Sequence, residues 1–263
     1  MRRFLSLFLA FACGASALAA AQEPSLTFDV VSVKPNLSGV TGSGTTSRPD
    51  GSFEATNVTV RSLILNAYNM QENQVVGGPD WLVTDRFDIL ARSTDDGPRG
   101  PRLQAMLADR FKLLAQRETP ERPVYFLVPL RTDRQLGPSI MPATIDCSGG
   151  NDPGKRRQQA GLATCGLQTS TGRNGGTVRG GGLPMARIAT TLANYGADRL
   201  VIDRTGIDGI FDFELKWINQ PTGNVDDVSF FTAVQEQLGL KLETGTAPVE
   251  VLVIERAERP DPN

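Results

Sequence analysis

The sequence predicts an α+β chain made of two tandem modules, each running helix, strand, strand, helix, strand, strand, with mixed and antiparallel sheets. Three observations predict it. Apolar residues at helical spacing alternate with runs at a spacing of two, these patterns recur along the chain at a nearly constant offset, and a glycine-rich basic stretch separates the two occurrences.

In chain order, Phe28 to Val33 and Ser52 to Thr56 read as opening strands. Thr59 then caps a helix in which Val60, Leu63, Ile64, Ala67 and Tyr68 form one apolar stripe. A second helix is carried by Leu103, Met106, Leu107 and Phe111. A third has Pro184 in its first turn, the stripe Met185, Ile188, Ala189 and Leu192, and a stop at Gly196. The fourth opens at Ser229, presents Phe231, Val234 and Leu238, and closes at Gly239. Between and after the helices the period changes to two, as in Phe211-Asp212-Phe213-Glu214-Leu215 and Val249-Glu250-Val251-Leu252-Val253, which read as half-buried strands.

The recurrence aligns residue by residue. Val60, Leu63, Ile64 and Ala67 match Met185, Ile188, Ala189 and Leu192 at an offset of 125, and Arg86 to Ile89 match Ile210 to Phe213 at 124. Phe111 and Leu113 match Leu238 and Leu240, and a two-residue deletion in a hairpin brings Pro123-Val124 onto Pro248-Val249. The expected organisation is a signal peptide at 1–21, a first module at 25–130, an insert at 131–180, a second module at 181–257 and a tail at 258–263.

The insert has no periodicity, many glycines and seven basic against three acidic residues, so it reads as a long surface loop. Its Cys147 and Cys165 remain an even pair once Cys13 is lost with the signal, and in an oxidising compartment a disulfide between them is expected. A metal site is disfavoured, because two thiolates without histidine or a second cysteine pair hold zinc poorly.

Arg2 and Arg3, the apolar run Phe4 to Ala12 and the small residues Ala17 to Ala21 have the order of a signal peptide cleaved near Ala19 to Ala21. That predicts a periplasmic or secreted protein. Lipidation at Cys13 is disfavoured by the bulk of Phe11 and by Ala10 where leucine is usual. No later segment is long and apolar enough for a transmembrane helix. Without the signal, 25 basic residues face 29 acidic ones, a balance that predicts no nucleic-acid partner.

The chain contains no histidine. Ser-His-Asp and Cys-His nucleophile systems and imidazole general bases are therefore excluded in their usual forms. Carboxylates are what a hydrolase would have left. Asp212 and Glu214 share a strand face, and Asp88 takes the matching place in the first module, so a pair spaced for glycoside hydrolysis is the enzymatic reading. The same pattern arises from solvated polar residues on a half-buried strand, which is the preferred reading.

Gly77-Gly78-Pro79-Asp80-Trp81 and Asp203-Arg204-Thr205-Gly206-Ile207-Asp208-Gly209 sit between strands at equivalent places. They read as turns, or as ligand loops in which Arg86 or Arg204 grips a carboxylate, with Asp80, Trp81 and Asp203 as neighbours. Trp81 and Trp217 read as packing residues rather than sugar platforms. Gly175, Gly176 and Gly180 to Gly182 lack the Gly-Lys-Ser/Thr ending of a phosphate loop, so nucleotide binding is rejected and no cofactor is expected. Lys155-Arg156-Arg157 reads as a solvated cluster.

With these residues in view, the chain resembles a family of exported soil-bacterial proteins of the acidobacterial type, without an assigned function. The matching stretches are FDVVSVKPN, DGSFEATNVTVRSLILNAY, VVGGPDWLVTDRFDI, LQAMLADRFKLLAQRETPERPVYFLV, VIDRTGIDGIFDFELKW and FTAVQEQLGLKLETGTAPVEVLVIERAERP. Each half also resembles the short N-terminal domain of secretins and TonB-dependent receptors, through a helix, LVIDRTGIDGIFDFELKW, a second helix ending EQLGLKLE and the strand APVEVLVIE. That second resemblance implies a non-enzymatic role in binding a protein or peptide of the cell envelope. Strand addition at an exposed sheet edge is the expected mode, and a cleft sensing a small extracytoplasmic ligand is a further alternative.

Overall fold

A computed structural model describes residues 27–95, 97–143, 165–220 and 228–261. The first part of the chain forms β1 (Val30–Pro35), β2 (Gly44–Ser47), β3 (Phe53–Thr59), α1 (Val60–Tyr68), β4 (Val75–Gly77), α2 (Trp81–Thr84), β5 (Arg86–Arg92), α3 (Arg99–Arg110), β6 (Leu114–Glu118) and β7 (Glu121–Pro129). The second part forms β8 (Ile140–Pro142), β9 (Gly166–Gly172), β10 (Gly175–Pro184), α4 (Met185–Tyr195), β11 (Val201–Asp203), β12 (Ile210–Ile218), α5 (Phe230–Leu238), β13 (Leu240–Pro248) and β14 (Val251–Arg256). The fold is α+β with mixed and antiparallel sheets, as the periodicity predicts.

The helix signals act where the sequence places them. Thr59 Oγ1 accepts from the Ser62 amide at 3.1 Å, and Val60, Leu63, Ile64 and Ala67 are buried. Ser229 caps α5 and Gly239 ends it at φ +67°, a conformation that costs glycine little. On α5 the buried aromatic is Phe230 rather than the expected Phe231, which is 40% exposed. Trp81 opens the single-turn helix α2, where a turn between strands was expected.

The stretch from Arg131 to Gly180 departs further from expectation. It supplies β8, β9 and most of β10, so it is not a loop throughout. Its glycines have a packing reason: Gly176 lies opposite Trp217 and Gly180 opposite Phe213 on β12. A Cβ at either position would run into the facing aromatic ring. A composition that reads as loop is here a strand thinned to admit large cross-strand neighbours.

Two antiparallel four-stranded sheets have the same plan, β1-β5-β3-β2 in the first half and β8-β12-β10-β9 in the second. Two three-stranded sheets also share a plan, β4-β14-β6 and β11-β7-β13, and each takes its central strand from the other half. β14 runs parallel to β4 and antiparallel to β6, and β7 runs parallel to β11 and antiparallel to β13.

The expected hairpin after β6 is absent. β6 and β7 continue one another past Thr119-Pro120, β13 and β14 past Val249-Glu250, and the two paths pair antiparallel in one register from Glu118↔Val251 to Pro129↔Leu240. The Val249 amide donates to the Pro120 carbonyl at 3.0 Å and bridges the gap. Neither Thr-Pro nor Val-Glu suits a two-residue hairpin, which favours Asn-Gly or Asp-Gly. The two-residue deletion in the sequence alignment is therefore unnecessary. Tyr125 and Leu127 take the places that Leu252 and Ile254 take on the other path.

Burial follows this exchange. Leu252 and Ile254 pack with Phe53, Leu63 and Leu107 in the first core. Tyr125 and Leu127 pack with Ile188, Phe213 and Leu238 in the second. Val124, Ala247, Val249 and Val251 form a smaller third cluster at the middle of the ribbon.

Candidate functional site

Two of the three carboxylates singled out from sequence, Asp88 and Asp212, serve the backbone. β3 bulges between Ala55 and Val58, and β10 between Gly180 and Leu183. At each bulge one residue has positive φ, Asn57 at +55° and Gly182 at +65°. The amide of Asn57 donates to Asp88 Oδ1 at 2.9 Å, and the amide of Gly182 donates to Asp212 Oδ1 at 2.8 Å. A bulge leaves an amide outside the ladder, and here a carboxylate from the adjacent strand satisfies it.

Asp212 is only 4% exposed, against the expectation that it faces solvent opposite Phe211. Asp88 is half-buried and also accepts from Asn36 Nδ2 at 2.7 Å. The Asn36 amide, and then the Asn57 amide, hold its carboxyl below the ordinary range. Glu214 lies two residues beyond Asp212 and is held by Arg179 Nε at 2.6 Å and Lys216 Nζ at 3.1 Å. Burial pushes its carboxyl up, but the hydrogen bonds from Arg179 and Lys216 outweigh that and leave it below its usual value. A general acid needs a raised carboxyl, and neither Asp88 nor Glu214 has one.

The two turn regions remain in separate halves. Asp203 Oδ1 accepts from the Thr205 amide at 2.9 Å and from Thr205 Oγ1 at 2.8 Å, a local turn closure. The Arg204 guanidinium carbon lies over Phe126, 3.6 Å from the ring centre. Asp80 is exposed and makes no side-chain cap on α2. Trp81 is buried in the first core and stacks on Phe111, and the Arg259 guanidinium lies over its ring. Trp217 is buried in the second core, where Phe230 meets it edge-on. Arg86 is exposed, and the one hydrogen bond of its guanidinium among the described residues goes to the Asn57 carbonyl at 3.3 Å. Cys165 immediately precedes β9, whereas Cys13, Cys147, Lys155-Arg156-Arg157 and residues 1–21 lie outside the described residues.

The sheet edges differ in a way the sequence reading did not foresee. β2, β4, β8 and β11 are short, and β8 ends in Pro142. β1 carries Lys34 and Pro35, β6 carries Arg117 and Glu118, and β13 carries Lys241, Glu243 and Pro248. Charge, proline and shortness are the usual protections of an edge. β9 has the sequence Gly-Leu-Gln-Thr-Ser-Thr-Gly, with neither charge nor proline over seven residues. Its side chains are exposed from Leu167 to Gly172, and among the described residues β10 is its one strand partner. Beside it runs a groove of 1090 Å³ whose walls include Thr171, Asn174, Glu214, Lys216, Trp217 and Gln237. The signal was present in the alternation of threonine with other uncharged polar residues between two glycines, but the surrounding loop-like composition outweighed it.

Among the described residues no group of three or more cysteines, aspartates or glutamates is placed to hold a metal, and no helix is long and apolar enough to cross a membrane. A family model described as a protein of unknown function, DUF3738, matches residues 61–257. No curated protein and no solved structure matches the chain.

Proposed function

The chain belongs to the DUF3738 family of unknown function, and we propose that it is an exported, non-enzymatic module that binds a protein or peptide of the cell envelope by strand addition to β9. One observation carries the reading: β9 is the long edge strand without charge or proline, and a groove of 1090 Å³ runs beside it. An extended segment laid along it would gain main-chain hydrogen bonds, and its alternate side chains would meet those of Leu167, Thr169 and Thr171 across the new strand pair. Export through residues 1–21 and a Cys147–Cys165 disulfide at the base of the preceding segment belong to the same proposal, as do the likeness to secretin-type modules and an origin of the two halves by duplication. The shared strand orders of the two halves support the last of these.

The test is capture from an envelope fraction by the mature protein, alongside Thr169→Pro/Thr171→Lys, which puts two natural edge protections on β9. Equal folding of the two proteins is checked by melting. A partner captured by the wild type and lost from the edge variant supports strand addition at β9; undiminished capture by the variant refutes it.

A further inference from the structure

A second concave site lies far from β9 in sequence, where the end of β1 meets the start of β5 and the C-terminal tail. It encloses 400 Å³ and is walled by Pro35, Leu37, Phe87 and Pro260, with Arg86 and Arg259 as its cations. That volume falls within the range of small-molecule sites, which combine apolar walls with a few placed polar groups. Leu37 stands 93% exposed at this site.

The two arginines are not equivalent. Arg259 Nε donates to Asp85 Oδ2 at 2.8 Å, and its guanidinium lies over Trp81, so its charge is matched. That hydrogen bond is the main reason the Asp85 carboxyl lies below its ordinary value. Arg86 has no ion-pair partner among the described residues and spends a single long hydrogen bond on the Asn57 carbonyl. Two cations and one carboxylate leave a net positive site with one guanidinium available.

The second half shows what the scaffold itself requires. Pro35 faces Phe87 across β1 and β5, and Pro142 faces Phe211 across β8 and β12. The Asn36 amide donates to the Arg86 carbonyl at 2.8 Å, and the Ala143 amide donates to the Ile210 carbonyl at 2.8 Å. The backbone is thus the same, while Asp85, Arg86 and Asn36 correspond to Gly209, Ile210 and Ala143. The fold makes this corner with an isoleucine, so Arg86 is surplus to folding.

We infer that this corner binds a small monocarboxylate with an apolar body, its carboxylate taken by Arg86 and its body held against Pro35, Leu37, Phe87 and Pro260. The inference is independent of strand addition at β9. A guanidinium pairs with a carboxylate through two parallel hydrogen bonds, stronger than neutral ones, and the apolar walls reward burial of the rest of the molecule.

Calorimetric titration at low salt with octanoate and with N-acetyl-leucyl-leucine separates an aliphatic acid from a peptide terminus, and 1-octanol and the dipeptide amide serve as uncharged counterparts. At least one acid is expected to saturate a single site and to bind at least tenfold more tightly than its uncharged counterpart. Arg86→Ile, which installs the residue of the second half, should weaken that acid by about tenfold or more with melting unchanged, and Arg86→Lys should fall between. The inference is overturned if neither acid saturates, or if Arg86→Ile binds both as the wild type does. A loss of melting cooperativity in Arg86→Ile would overturn the claim that Arg86 is surplus to folding, and Arg86→Gln then repeats the binding comparison.

Discussion

At the bulge of β3 the positive-φ residue is Asn57, whose side chain donates to the carbonyls of Val40 and Gly42 and so ties down the preceding loop. At the bulge of β10 the residue is Gly182, with no side chain to spend. Both amides are closed by an aspartate of the next strand, Asp88 in a half-buried setting and Asp212 in a buried one. The same contrast holds at the corner after β1 and β8, where the first half carries Asn36 and Arg86 and the second Ala143 and Ile210. Features that recur in both halves are those the backbone needs. Features confined to one half are free to serve a ligand.

The largest effect expected from this comparison concerns the exchanged strands. Leu127 is fully buried in the second core, and Leu252 is 1% exposed in the first. Leu127→Ala and Leu252→Ala should each cost about 2–5 kcal/mol, read by denaturant melting. Trp81 reports on the first core and Trp217 on the second, through Trp217→Phe and Trp81→Phe backgrounds. Leu252→Ala should lower the transition seen by Trp81, although Leu252 belongs to the other half in sequence. A shift confined to Trp217 would break the assignment of β14 to the first core.

Local signals were legible in the sequence because their physics is local. Thr59, Ser229 and Gly239 mark helix ends through hydrogen bonds within a few residues. The stripes of α1, α3 and α4 point to the core because a helix has one buried side. The rest depends on contacts that spacing does not encode. Gly176 and Gly180 read as loop until Trp217 and Phe213 are seen opposite them. Alternation placed Asp212 in solvent, but the bulge of β10 sets the Gly182 amide on its carboxylate, and the residue is buried. The partners of β7 and β14 lie in the other half, where no local pattern points. Arg86 was a candidate from sequence; that it has no ion-pair partner among the described residues, and the role of Arg259, became visible only with the C-terminal tail in place.

The next effect is smaller and ranks the two aspartates. Asp212→Ala leaves the Gly182 amide without that carboxylate in a buried setting, at a cost of about 1–3 kcal/mol. Asp88→Ala should cost less, because its surroundings are wetter. Asp88 also makes a contribution that depends on pH. Its folded carboxyl lies below its unfolded value, so its stabilisation is complete above about pH 4 and is lost as pH falls through the folded value. Asp88→Asn should therefore flatten the loss of melting temperature between about pH 4 and pH 2. A larger penalty for Asp88→Ala than for Asp212→Ala would reverse the comparison.

The exchange of β7 and β14 is tested most directly by dividing the chain between residues 150 and 151 and producing residues 22–150 and 151–263 separately and together, with the cysteines reduced. If each half completes the other's three-stranded sheet, the fragments co-elute as one particle with a single cooperative melt, and neither alone gives a cooperative transition. Two fragments that each melt cooperatively alone and elute apart when mixed would contradict it.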